Sequence, residues 1–209
     1  MRIFLFIALL YAFSAGLVYA NEKVLILGYQ NNLTDNEVWQ NNQVGFGVKN
    51  QLRQTLFDKQ NIDILDEKTL SLKVPAGDNR LTLHDSSKPA WMLEKKDVSS
   101  AYLSTMAKKY QLDSIYWVRI TRFAKPESEL TIAIWSSKKV TKELTLKVCR
   151  FIQSSRSIQC QQGKGSSTKR SRAFFYKPIK DRHKQQKHFN DSAVGKISLK
   201  AIQQAVSKL

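Results

Sequence analysis

A local symmetry around Ser154-Ser155 constrains this chain more than any other feature. Leu144 to Ile152 is extended in pattern, Ser154-Ser155-Arg156 is a polar turn, and Ser157-Ile158-Gln159-Cys160 resumes the extended pattern. The two cysteines of the chain stand equally far from Ser154-Ser155 on either side. A hairpin centred there sets Cys149 opposite Cys160 and predicts a cross-strand disulfide. Its spacing is not Cys-x-x-Cys, so its role is structural rather than redox-active.

A bridge needs an oxidising compartment, and the N-terminus supplies the route. Met1 to Ala20 reads as a secretory signal peptide: Arg2 is the positive end, Ile3 to Phe13 the apolar stretch, and Val18-Tyr19-Ala20 the small-residue cleavage site. An uncleaved anchor is the competing reading of the same stretch, but Ser14 and Gly16 break the apolar run where cleavage would fall. No Cys follows directly, so a lipoprotein anchor is not expected. The expectation is a protein of the periplasm or another exported space, peripheral to the outer membrane if it meets one.

From residue 21 to 209 the chain reads as a single domain. Lys23 to Tyr29 is a short apolar run suited to a buried strand. Gln30 to Asn42 reads as a loop. From Gln43 a helical stripe follows with Val44, Val48, Leu52, Thr55 and Leu56, and then a strand over Asn61 to Leu65. Asp66 and Thr69 mark the start of a short helix, and residues 71–97 carry turn chemistry without a readable element. Asp97 is the expected cap of a helix with Val98, Ala101, Tyr102, Met106 and Tyr110 on its apolar face. Ser114 to Phe123 is a strand. Leu130 to Trp135, Val140 to Ile152 and Arg156 to Gln162 continue as a meander, with a turn over Ser136-Ser137-Lys138-Lys139. A helix from Ser192 to Leu209, capped by Asp191 or Ser192, closes the chain. The fold class is therefore α/β: a single mixed sheet flanked by helices, with a strand meander in the second half and a C-terminal helix.

Catalytic chemistry has little to stand on. His183 and His188 sit among cations, which oppose a metal ion, and His84 is alone. Gly163-Lys164-Gly165-Ser166 follows a strand without the glycine spacing or the succeeding helix of a phosphate loop. No Ser/His/Asp set has supporting spacing. The sequence is read as non-enzymatic, with no cofactor and no metal.

The charge points elsewhere. The chain carries 34 basic and 17 acidic residues, a formal charge of +17, which implies an anionic partner or surface rather than a fold. Fifteen of the cations lie in residues 144–209 against two acids, Asp181 and Asp191. They concentrate in a basic loop expected at 164–188: Lys164, Lys169, Arg170, Arg172, Lys177, Lys180, Arg182, Lys184 and Lys187, with Phe174, Phe175 and Tyr176 as an apolar anchor. A solvated loop is the plain reading of such a run. The functional one is a surface for anionic lipid, lipid A phosphates or an anionic wall polymer. Export makes nucleic acid a minor option.

The element order also carries a resemblance. Lys23-Val24-Leu25-Ile26-Leu27, the helix ending Gln51-Leu52-Arg53-Gln54-Thr55-Leu56, the run Ile62 to Leu70, the stretch Met106 to Val118, the hairpin Leu144 to Gly165 and the helix Ala193 to Leu209 together resemble the CsgG family of curli assembly and transport components. The same architecture is shared by the N-terminal domain of TolB. The resemblance implies a non-enzymatic cell-envelope protein that acts in assembly or transport through an envelope protein partner, with a homo-oligomer as one form. Two departures mark this chain. It lacks the acylated Cys, and neither Leu130 to Val140 nor the cation-rich Ser166 to Phe189 supplies the apolar, lipid-facing strands of a barrel wall. It is therefore expected to have no pore of its own. An adaptor or activator of a peptidoglycan synthase, and an anionic-surface-binding protein, are the alternatives.

Overall fold

The computed structural model describes residues 21–31, 37–40, 42–58, 62–65, 98–124, 127–132, 135–170, 177–181 and 183–209. Asp66, Thr69 and the segment 71–97 lie outside the described residues, as does the N-terminal stretch 1–20.

Strand β1 (Glu22–Asn31) lies between two parallel neighbours, β2 (Ile62–Leu65) and β3 (Ser114–Ala124). Beyond β3 the sheet turns antiparallel. The long strand β5 (Trp135–Ile152) pairs along one edge with β3 and then with β4 (Glu127–Ile132), and along its other edge with β6 (Ser157–Arg170). The six strands form one mixed sheet, as the sequence implies. Two irregularities shape it. The β1 register shifts between Ile26 and Gly28, where Gly28 takes φ 142°, a conformation open to glycine. The β3 register shifts at Thr121, and the offset of Arg122↔Thr145 to Ala124↔Glu143 is the same as that of Glu127↔Val140 to Ile132↔Trp135. β3 and β4 thus pair with β5 in one common register.

Strand alternation divides the sheet into two faces. On the first, Val24, Ile26, Tyr29, Tyr116, Val118, Leu144, Leu146 and Val148 pack on helices α2 (Asn42–Phe57) and α5 (Ala193–Val206). The expected stripe of α2 (Val44, Val48, Leu52, Thr55 and Leu56) is buried in full. On the second, Leu25, Ile115, Trp117, Cys149 and Phe151 meet Leu103, Met106, Ala107 and Tyr110 of α3 (Ser100–Tyr110).

Several local expectations are corrected. The stretch read as a loop before α2 contains the end of β1 and a helical turn, α1 (Glu37–Gln40), and α2 itself starts at Asn42. Trp39 of that turn is fully buried, edge-on to Phe123 at 5.5 Å, and its carbonyl accepts the Tyr29 hydroxyl at 2.8 Å. One aromatic in a polar run is enough to fold it onto the core. α3 is capped by Ser99, whose Oγ accepts from the Tyr102 amide, and Ala101 is exposed because Leu103 and Ala107 complete the buried face.

The expected turn over Ser136 to Lys139 belongs to β5, where Ser137 pairs with Leu130 and Lys138 with Glu129; the chain reverses between Ile132 and Trp135. Polar residues do not prevent backbone pairing, so composition alone misplaces the reversal. β6 likewise runs past Gln162 to Arg170. Its glycines look like loop residues but serve contact: a Cβ at Gly163 would collide with the carbonyl of Ala201, and one at Gly165 with the carbonyl of Ile197. α5 therefore rests directly on the backbone of β6. The end of the expected basic loop is a helix, α4 (Gln185–Asp191), whose Phe189 is a core residue. The Ser192 hydroxyl accepts from the Gly195 amide at 2.9 Å and caps α5.

Candidate functional site

The β5–β6 register places Cys149 opposite Cys160 with their Cα atoms 4.1 Å apart, and the two sulfurs are bonded. The row continues to Trp117 on β3. α3 covers the β3 and β5 members of this row, leaving Trp117 3% and Cys149 1% exposed, while Cys160 on β6 is exposed.

Two residues further along each strand, the same face changes character. Arg119, Lys147 and Gln162 form the next cross-strand row, then Arg122, Thr145 and Lys164, then Ala124, Glu143 and Ser166. Arg119 and Lys147 are half-buried; Arg122, Lys164, Glu143 and Ser166 are exposed. A depression of about 540 Å³ opens here, with Arg122, Glu143, Thr145, Gln162, Lys164 and Ser166 among its walls. Like charges directly opposite one another destabilise a strand pair, yet Arg119 faces Lys147. Among the described residues, neither ion pair includes Arg119, Arg122, Lys147 or Lys164.

The contrast with Arg150 is instructive. That guanidinium pairs with Glu22, which also accepts from the Ser114 hydroxyl, and it lies 5.5 Å from the centroid of the Tyr116 ring. Burial pushes the Tyr116 hydroxyl up to about 12. The sheet neutralises a cation where structure needs it. On the other face, Arg119 is held instead by a neutral group: its Nε donates to Oε1 of Gln30 at 2.8 Å. Gln30 is 1% exposed, and its Nε2 is buried without a hydrogen-bond partner. Since the guanidinium must meet the amide oxygen, the orphan atom is the amide donor.

Of the sequence-derived basic residues, those described stand in more than one place. Lys164 stands on the depression, its backbone amide donating to Oε1 of Gln204 at 2.6 Å. Lys169 and Arg170 end β6 opposite Val140 and Lys139. Arg172, Phe174, Phe175, Tyr176 and Arg182 lie outside the described residues. Lys177, Lys180, Lys184 and Lys187 are exposed, but on a stretch tied to α2: the Gln43 amide donates to the Ile179 carbonyl at 2.8 Å and accepts from the Ile179 amide at 3.1 Å. Lys184 makes a surface contact with Asp181 at 3.4 Å. Among the described residues of the expected loop, 164–170 is the end of a strand, 177–181 a stretch tied to α2 and 185–188 the start of a helix, with Lys164 on the depression and Lys177, Lys180, Lys184 and Lys187 on the side of α2.

Arg119, Arg122 and Lys147 were not singled out by the sequence as site residues. The hairpin register contains the signal for Lys147, two residues before Cys149 and on its face, but nothing in β3 announces which strand it pairs with. Among the described residues no group of three His, Cys, Asp or Glu is placed to hold a metal, and no described helix is long and apolar enough to cross a membrane.

No protein-family model matches the sequence, and no curated protein does. Solved structures share its outline. A hypothetical protein, CT253, of Chlamydia trachomatis is 10% identical with a TM-score of 0.44, over 90% of this chain and 95% of that one. The lipoprotein GNA1162 of Neisseria meningitidis is 11% identical with a TM-score of 0.42, over 72% and 84%. The LpoB C-terminal domain of Salmonella enterica is 11% identical with a TM-score of 0.38, over 75% and 90%. These are likenesses of outline, and no function passes from them to this chain.

Proposed function

We propose that this chain is an exported, non-enzymatic accessory of the cell envelope that docks on anionic envelope material through the open half of its second sheet face. The reading is supported by the leader-like residues 1–20, by the bridged cysteines and by the CsgG-like element order, which favours assembly or transport with a protein partner and no pore of its own. One observation carries it: Arg119, Arg122, Lys147 and Lys164 converge on neighbouring strands without entering either described ion pair. A sheet gains nothing in stability from that arrangement, whereas an anion laid across it relieves the repulsion.

The test is retention on isolated envelope fragments across a salt series. Retention at low salt that falls steeply as ionic strength rises is expected. Salt-insensitive retention, or an intact precursor in the cytosol with two titratable thiols, contradicts the proposal.

A further inference from the structure

The docking surface has chemistry that distinguishes between anionic materials. We infer that the rows from Arg119 to Ser166 accommodate a carbohydrate chain bearing carboxylate or phosphate groups, not the plane of a lipid bilayer; this rests on the docking reading above.

The depression is lined by more than cations. Beside the cations stand the Gln162 amide, the Ser166 hydroxyl and the Glu143 carboxylate. Sugar hydroxyls both donate and accept, and this lining offers both kinds of partner. Glu143 accepts from a sugar hydroxyl in the row next to the cations Arg122 and Lys164. A lipid-seating surface needs apolar side chains to insert among the acyl chains. Of the large exposed hydrophobics described, Phe57 lies elsewhere, and Ile158 stands on the same face of β6 but outside these rows, beyond Cys160.

Spacing agrees with a chain of charges. Neighbouring strands lie about 4.8 Å apart and alternate residues along a strand about 6.8 Å apart. Arg119 with Lys147 makes one cationic step on adjacent strands, and Arg122 with Lys164 the next, on either side of Thr145. A repeating anionic polymer meets these points in sequence, whereas a single small anion would meet only one row.

The experiment uses the full mature chain and two probes, polygalacturonate as the anionic polysaccharide and vesicles of phosphatidylglycerol in phosphatidylcholine. One variant combines Arg119→Gln, Arg122→Gln, Lys147→Gln and Lys164→Gln. A second removes the same charge elsewhere through Lys177→Gln, Lys180→Gln, Lys184→Gln and Lys187→Gln. The first is expected to weaken polygalacturonate binding by more than about tenfold, the loss of one or two charge-assisted hydrogen bonds, and the second by less than about threefold. Vesicle binding should fall alike in both. Equal loss of polymer binding in the two variants overturns the inference. So does vesicle binding without polymer binding, which leaves the docking reading standing; failure of both probes overturns that reading too. Should the fourfold sheet variant not fold, Lys147→Gln with Lys164→Gln is set against Lys184→Gln with Lys187→Gln, and the same outcomes decide.

Discussion

The same strands obey opposite rules on their two faces. Toward α2 and α5, the alternate residues of β3 and β5 are apolar and those of β6 are Gly163 and Gly165, so helices can approach the backbone itself. Toward α3, the alternate residues begin as Ile115, Trp117, Cys149 and Phe151 and then become Arg119, Arg122, Lys147 and Lys164. The first face is closed by complementarity of shape. The second is closed only at one end and carries charge at the other. A period of two lets one strand build a core and present a site with alternate side chains, and the site starts where helix cover stops.

This contrast breaks most sharply at the glycines. Gly165→Val would drive a side chain into the Ile197 carbonyl, which no rotamer change relieves. A loss above about 4 kcal/mol, or failure to fold, is expected in denaturant unfolding, while Lys164→Ala on the opposite side should stay within about 0.5 kcal/mol. Wild-type unfolding of Gly165→Val would show that α5 does not sit on β6 as described.

Next in size is the bridge at the join of the covered and open halves. It links residues 11 apart, so replacing both cysteines by alanine should cost about 2–3 kcal/mol through the unfolded chain. The open rows beyond it should retain their register, because the Ser154-Ser155 turn and the glycine contacts hold it independently. Amide exchange along β6 measures this; loss of protection at Gln162 and Lys164 alone would show that the bridge itself sets the register.

A smaller effect comes from charge on the closed side. Lys49 of α2 is buried, and burial, aided by Arg53, lowers its ammonium to about 8. Between pH 8 and pH 10 the unfolded chain holds a proton there that the folded one has lost, so stability should rise with pH across that window. Above about pH 10 Tyr116, raised by burial, reverses the trend, since the unfolded phenol ionises first. Lys49→Met should abolish the rise, and a stability that falls steadily from pH 8 would contradict the buried placement. Smallest of all, Lys147→Gln should leave stability within about 0.5 kcal/mol or raise it, because the charge facing Arg119 disappears.

The class of fold was legible because its signals are periodic: the stripe from Val44 to Leu56, the hairpin about Ser154, and the terminal helix with Ile197, Ala201 and Ile202. The register from Ile152↔Ser157 to Lys139↔Arg170 was implicit in the placement of two cysteines. Where composition stood in for periodicity, the reading strayed. Ser136 to Lys139 looks like a turn, and Lys164 to Thr168 like the start of the 164–188 loop, because small and polar residues signal both reversal and close packing. The site was harder still. Arg119 and Lys147 are far apart in sequence, and only the β3–β5 pairing brings them together, whereas Lys177, Lys180, Lys184 and Lys187 are close in sequence and stand on the side of α2.

Lysine acylation footprinting of the chain, with and without isolated envelope fragments, tests the central claim residue by residue. The account predicts slower modification of Lys147 and Lys164 when the fragments are present, with Lys184 and Lys187 reacting at unchanged rates. Protection confined to Lys184 and Lys187, with Lys147 and Lys164 fully reactive, would contradict it.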